Sequence, residues 1–534
     1  RIAGSVTDYA TGEPVVGVNV VAYDAGGRPH GAAVGADGRF AFNCPTKAAT
    51  LRVSMLGYRN ETVKLVPGRT DYDIRLREAP SDVGEVVVTG FVDKKRESYT
   101  GATHVIQRQE IENMVHTNVL NIIQLQTPGF EIFDDIANGS DPNKIPDMVL
   151  RGRSSFIEGD QTNVPLFILD GTEVDISYVF DMPSDDIESI SVLKDASATS
   201  FYGSKAANGV VVITTRPTQA GRLQVNYSGN FQVSIPDLSD YRLLNAREKL
   251  EYERQAGVYG DFTGSSNTDV TNQKSYYEKL DRVNAGVNTD WKRMALRTGF
   301  NHIHNLMLSG GSQDFRYNVS GSYNSTTGVM DESDKQTASL RINLTYGDMN
   351  KLFFQNIASL TQSDSNDVPY GSFSDYVSLN PYDRPYNDDG SLNSVLSFNT
   401  ANPLYEKSLS SYIRNTSGSF IDTFRVRWNI LKGLRVEASL SYTQTKSEGE
   451  TFYSPLSQQF NNTIDANKKG SFDVSNGTTH NLSGNAFAVY NKAWNRRGGD
   501  ASDLLSLTAG FNIESTRSES HSFSALGILS DKLE

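Results

Sequence analysis

Cysteine is almost missing from this chain. Cys44 is the only one in 534 residues, which excludes an internal disulfide and a cysteine-based zinc site, and its position excludes a lipoprotein anchor. No apolar run reaches the ~18 residues that a membrane helix needs. That rules out a helical span but not a barrel, whose alternating strands keep mean hydropathy low. Positive charge is also short: 50 Lys and Arg face 63 Asp and Glu, a formal charge of -13, so no basic stripe exists to displace phosphate counterions and a nucleic-acid binder is excluded. The chain opens at Arg1 without a charged-then-apolar leader, as expected if a signal peptide has been removed or the start trimmed. No Ser/His/Asp spacing or carboxylate pair stands out, so neither an enzyme nor a bound cofactor is expected. What is abundant is 44 Gly, 25 Tyr and 25 Phe within only 37% hydrophobic residues, the balance of a sheet-rich protein with many turns.

The length requires several cores or one very large sheet. Residues 1–79 read as a small β-sandwich, with strands at 2–7, 18–23, 38–43, 50–55, 58–66 and 72–76 and turn signals between them. Residues 80–94 read as a linker. Over 95–217 the pattern becomes α+β: helical spacing at 108–114 and 118–126, strands at 148–151, 165–169, 189–193 and 210–215, and a short helix at 195–202 opened by Asp195.

From residue 218 to 534 a two-residue period takes over. In RLQVNYSGNFQV, Leu223, Val225, Tyr227, Phe231 and Val233 alternate with polar neighbours. The same alternation returns around Tyr317, Leu340, Phe424, Leu434 and Leu505. A soluble sandwich would show it too. Run lengths near the ~9–11 residues of a tilted spanning strand, and short turns alternating with long polar excursions, favour an antiparallel transmembrane β-barrel. The overall expectation is a mainly β protein: sandwich, α+β domain, barrel.

GEVVVTGF, residues 84–91, is an apolar strand with no evident pairing partner between polar and charged flanks. Such a strand is an aggregation hazard unless it serves as a docking edge. Further on come VPLFILDGTEV and DMPSDDIESISVLKDASATSFYGSKAANGVVVITTR. Bottom-up, Asp170-Gly171 is a tight turn after an apolar strand, and the small residues between Ala196 and Ala207 permit close packing of helix on sheet.

Together these stretches resemble the plug of the SusC family of TonB-dependent outer-membrane transporters, and the opening IAGSVTDYATGEPVVGVNVVAYD resembles a carboxypeptidase-regulatory-like domain. The resemblance implies that Glu85, Val86, Val87, Val88, Thr89 and Gly90 form a TonB box. It implies that Asp170, Gly171, Asp195, Tyr202, Gly203, Asn208 and Gly209 belong to the plug motif. As partners it implies TonB with its inner-membrane complex, a SusD-like surface lipoprotein, the lipid bilayer, and an oligosaccharide or peptide as cargo. The alternative from another class is a surface receptor or adhesin without transport. Such transporters close around about 22 strands, whereas residues after 222 supply only about ten by period. An incomplete chain is therefore expected, as the lack of a terminal aromatic residue also indicates.

Several motifs read as structure. Gly203-Ser204-Lys205 lacks the phosphate-loop order. His302 and His304 share a strand face without a third ligand, which reads as a solvated strand rather than a metal site. Asp134-Asp135, Asp185-Asp186 and Asp388-Asp389 lack a calcium-loop register and read as turns or caps. One excursion, 364–402, alternates Tyr370, Phe373, Tyr376, Tyr382 and Tyr386 with carboxylates, a composition suited either to stacking sugars or to an aromatic core of its own.

Overall fold

The computed structural model describes residues 2–9, 14–15, 18–23, 29–35, 38–43, 50–55, 61–65, 69–76, 86–88, 93–95, 103–114, 118–133, 141–150, 163–194, 200–260, 267–431, 433–495 and 502–532. These divide into two compact units, residues 1–87 with 93–100, and residues 88–92 with 101–534.

Among the described residues, the sandwich of the first unit is built from β1 (Ile2–Asp8), β2 (Asn19–Tyr23), β3 (Pro29–Ala33), β4 (Arg39–Phe42), β5 (Thr50–Ser54), β6 (Glu61–Lys64) and β7 (Asp71–Leu76). They form two sheets, ordered β4-β1-β7 and β3-β2-β5-β6. Alternation decides which face is buried: Ile2 and Val6 of β1, Leu51 and Val53 of β5, and Tyr72, Ile74 and Leu76 of β7 share one core. β3 escapes sequence reading because PHGAA is poor in β-formers; it lies at a sheet edge and starts with Pro29, where a missing N–H is tolerated. The short strand β8 (Val86–Val88) pairs with β9 (Asp93–Lys95). The charged segment expected to remain a soluble flank is thus the pairing partner that the sequence did not reveal.

The second unit starts with a plug. β10 (Thr103–Gln107), β11 (Phe130–Ile132), β12 (Met148–Leu150), β13 (Leu166–Leu169), β14 (Thr172–Val174), β15 (Ile187–Leu193) and β16 (Val210–Thr215) make a five-stranded sheet, β10-β15-β16-β13-β14, and a separate β11-β12 pair. Helices Arg108–Asn113, Val119–Gln126 and Ile176–Asp181 cover it. The second is started by Asn118, whose side chain accepts from the Leu120 N–H, and it buries Val119, Leu120, Ile122 and Ile123 against the sheet.

Nine strands follow in sequence order as one antiparallel wall: β17 (Gly221–Ser234), β18 (Gly299–Gly311), β19 (Phe315–Thr327), β20 (Asp334–Asp348), β21 (Leu352–Asp367), β22 (Tyr412–Leu431), β23 (Leu434–Tyr453), β24 (Ser471–Asn495) and β25 (Ser502–Leu526). Tight turns join β18 to β19, β20 to β21 and β22 to β23 at one end; at the other, β17 and β18 are separated by residues 235–298, and β21 and β22 by 368–411. Burial then separates barrel from soluble sandwich. The apolar face is the open one, with Phe424 46% and Trp428 50% exposed, while the polar face is covered, with Asn343 at 3% and Thr423 at 4%. A soluble sheet buries its oily side; a barrel wall turns it to lipid. Among the described residues, β17 and β25 stand at the two ends of this sheet order without pairing with each other.

Candidate functional site: the seam between plug and wall

The plug sits against the polar face of the wall, and the contacts between them are mostly charged or hydroxylic. Asp170 and Gly171 occupy the turn between β13 and β14 with φ of 47° and 82°. Two successive positive φ values define the hairpin turn that Asp-Gly satisfies with little strain. This turn aims the Asp170 carboxylate at β16, where it accepts from the Thr215 N–H at 3.0 Å and hydroxyl at 2.8 Å. On the wall, Arg341 of β20 pairs with the same carboxylate and also donates to Thr215 Oγ1 at 2.9 Å. Arg425 of β22 donates to the Asp170 carbonyl.

Further pairs repeat the arrangement. Lys335 of β20 reaches Asp181 at 2.6 Å, Ser320 of β19 donates to Asp186 at 3.1 Å, and Thr218, in the segment leading to β17, donates to Thr345 of β20 at 2.8 Å. The polarity is reversed where Lys205 of the plug bridges Glu173 at 2.9 Å and Glu514 of β25 at 3.0 Å, and where Lys144 of the plug lies 3.6 Å from Asp367 of β21. Burial pushes the carboxyls of Asp181 and Asp186 above the usual carboxylate range; Lys335 opposes this for Asp181, and Arg341 with the Ser320 hydroxyl opposes it for Asp186. One oxygen of Asp186 has no hydrogen-bond partner among the described residues.

The plug's own cohesion is of another kind. Its core is apolar, running through Ile106, Ile123, Phe167, Ile190 and Ile213, and Ile421 is the wall residue buried with it. Polar contacts across the seam contribute little net stability, because each charge loses hydration nearly equal to what its partner returns. Apolar burial inside the plug keeps it folded. The seam is therefore the part of the assembly that water can replace at least cost.

Comparison with known proteins agrees with this geometry. Residues 95–210 match the TonB-dependent receptor plug domain and residues 1–77 the carboxypeptidase regulatory-like domain. The TonB-dependent receptor SusC of Bacteroides thetaiotaomicron is 29% identical over 351 residues, 64% of this chain and 32% of its own length. The TonB-dependent receptor P26 of Formosa agariphila is 27% identical over 432 residues, 78% of this chain and 40% of its own. The chain carries both of these domains in order and is similar to SusC-like TonB-dependent receptors. A structure of the RagAB peptide transporter shares the fold, with a TM-score of 0.63 at 21% identity over 81% of this chain and 50% of that one. The chain spans about a third of the length of SusC, and its strands form part of an outer-membrane barrel.

The residues of the receptor singled out by sequence are distributed unevenly. Asp170 and Gly171 lie on the seam. Gly209, at φ 92°, immediately precedes β16, where a Cβ would come within 2.6 Å of Leu150. Gly203, at φ 63°, breaks the 3₁₀ turn Ser200–Ala206, which also holds Tyr202; Asn208 precedes the strand. Asp195, Glu85, Thr89 and Gly90 lie outside the described residues.

The aromatic excursion corrects an expectation. Tyr370, Phe373, Tyr376 and Tyr382 are 6%, 6%, 1% and 0% exposed, spent on a local core with Trp291 and Leu396 or with Leu250 and Tyr259, so their faces are closed to stacking. Tyr386 alone of the five is open. His302 and His304 are not on a solvated face either. They sit with Phe300 and Tyr323 on the outward apolar face, with Tyr227 Oη 2.7 Å from His304 Nδ1, as part of an aromatic band.

Sequence reasoning missed Lys335, Arg341 and Arg425, the wall's side of the seam. Each sits at a polar position of an alternating strand, and the only available signal was a cation repeated on the inward face.

Proposed function

We propose that the receptor imports nutrients actively across the outer membrane, oligosaccharides or peptides being the cargo, and that the seam is the gate. The observation that carries this reading is the contrast between an apolar plug core and a polar plug–wall contact. Such a plug shifts or partly unfolds along the seam and leaves a hydrophilic passage lined by wall residues such as Asn318, Asn343 and Thr345.

An outer membrane has no ATP of its own, so the work comes from the inner membrane through TonB. The segment from Glu85 to Gly90 is the handle. An energised partner adds it to its own sheet edge, where main-chain hydrogen bonds carry the grip. Because Val86–Val88 pairs with Asp93–Lys95, this capture first exchanges one short ladder for another. A SusD-like lipoprotein covers the mouth at the long-loop end. Deleting residues 85–90 should abolish uptake while membrane insertion and ligand binding persist; a deletion strain that still takes up cargo would refute the scheme. An adhesin would need none of this seam, and its adhesion would survive the deletion unchanged.

A further inference from the structure

A cleft of about 420 Å³ opens in the long-loop end, away from the seam. Its walls are the segment before helix Ala246–Gln255 with that helix's first turn, residues 288–292, and the end of helix Phe373–Ser378 with the residues that follow it. The volume is within the ~300–1,000 Å³ of ordinary ligand sites. The walls are pinned to each other: Thr289 N–H donates to the Pro381 carbonyl at 2.8 Å, Trp291 Nε1 to the Asn380 carbonyl at 2.9 Å, and Ala246 N–H to Asn288 Oδ1 at 2.9 Å.

In a chain of net charge -13 the lining is locally cationic, with Arg242, Lys249 and Lys292 against Asp290 alone. Asp290 is engaged by Arg293 at 3.3 Å, and Lys249 lies 3.6 Å from Glu253. Lys292 has a neutral partner, the Tyr241 carbonyl at 3.2 Å, and among the described residues neither it nor Arg242 is paired with an acid. Beside the cations, Leu243 and Leu244 are 52% and 45% exposed. The aromatic floor is covered: Trp291 is 3% and Tyr376 1% exposed, leaving no ring face for a sugar.

The geometry points to a recognition site for acidic peptides, with carboxylates on Arg242 and Lys292 and an apolar side chain against Leu243 and Leu244. It narrows the cargo within the import reading above and depends on that reading only for its biological use. Binding itself is measured on purified full-length receptor in detergent, without TonB, so a failure of import and a failure of this site are distinguishable.

The probe is a fluorescently labelled peptide of alternating Glu and Leu, followed by anisotropy. Its affinity should fall as salt rises, and should fall about ten-fold or more in each of Arg242→Ala and Lys292→Ala. A matching Gln and Leu peptide should bind worse by a similar factor. Arg242 is exposed, so its variant should retain the wild-type melting curve, and Arg242→Lys should restore part of the affinity. Equal binding of the Gln peptide, or unchanged affinity in both alanine variants, would overturn the site. Tighter binding of an oligogalacturonate than of the Glu peptide would overturn the peptide assignment.

Discussion

At the scale of single residues, Asp170 and Arg341 carry the seam. Their side chains are 8% and 9% exposed, so neither can be rehydrated in place when the other is lost. Asp170→Asn keeps a residue that tolerates positive φ and removes only the charge. It should lower stability by about 3 kcal/mol, the low end for breaking a buried pair. Pairing it with Arg341→Met should recover most of the loss in a double-mutant cycle of melting curves. A loss within about 0.5 kcal/mol, ordinary for a surface site, would mean that this pair holds nothing. Asp186 gives a pH signature of opposite sign to that of a salt-bridged acid. Burial raises its carboxyl above the ordinary value of 3.8, so the folded plug binds its proton more tightly than the unfolded chain. Below 3.8 both states are protonated and nothing is lost. As pH climbs from 3.8 through the raised value, the unfolded chain releases the proton first and stability drains away. Asp186→Asn should therefore gain on the wild type across that window, read as a widening difference in melting temperature, and a constant difference would refute it.

At the scale of elements, the alternating strands were legible where outward residues are large, as in β17, β22 and β25. β18, β21 and β24 were not, because their outward positions hold His302 and His304, Asn356 and Ala358, or Gly484 and Ala486 in place of an oily stripe. Period reading detects contrast between faces, and these strands have little. The seam was half legible: Asp-Gly after an apolar strand announces its own turn, but nothing local to Arg341 says that a distant carboxylate will meet it. The loop cluster shows the same limit. Lys279 is 4% exposed, donates to Tyr259 Oη at 3.1 Å and lies 3.8 Å from the ring centre of Phe398. Glu253 accepts from Tyr259 at 2.5 Å and Tyr382 at 3.0 Å, which ties residues 246–284 to the excursion that ends at β22. Glu253→Ala strips the acceptor from two buried hydroxyls and a balancing charge from Lys279, at a cost of about 3 kcal/mol. Because the loss is confined to the loops, limited proteolysis should cleave residues 235–298 faster while the strands stay protected. Unaltered cleavage would show that the network is not what holds the two excursions together.

At the scale of the whole molecule, the inverted burial of the wall leads to a test that needs neither cargo nor TonB. Trp428 lies on the outward face of β22 beside Phe424 and Ile430, 50% exposed, whereas Trp291 is 3% exposed in the loop core. If the outward face meets acyl chains, brominated lipids should quench Trp428 and leave Trp291 bright. In a Trp494→Phe background, which leaves only these two tryptophans, Trp428→Phe should then remove most of the quenching, and the residual emission of Trp291 should be insensitive to bromine depth. A charge on the same face should be costly: Phe424→Arg is expected to destabilise the barrel by about 2–4 kcal/mol. Placed one residue away, at inward Thr423, the same arginine would face the plug's Thr172, which lies 3.2 Å from the Thr423 hydroxyl. There it should disturb the seam and not the lipid contact. Two adjacent positions thus report on two different solvents. Equal quenching of Trp428 and Trp291, or equal lipid dependence for the two arginines, would mean that the sheet does not divide lipid from water and that the gate built on it has no wall.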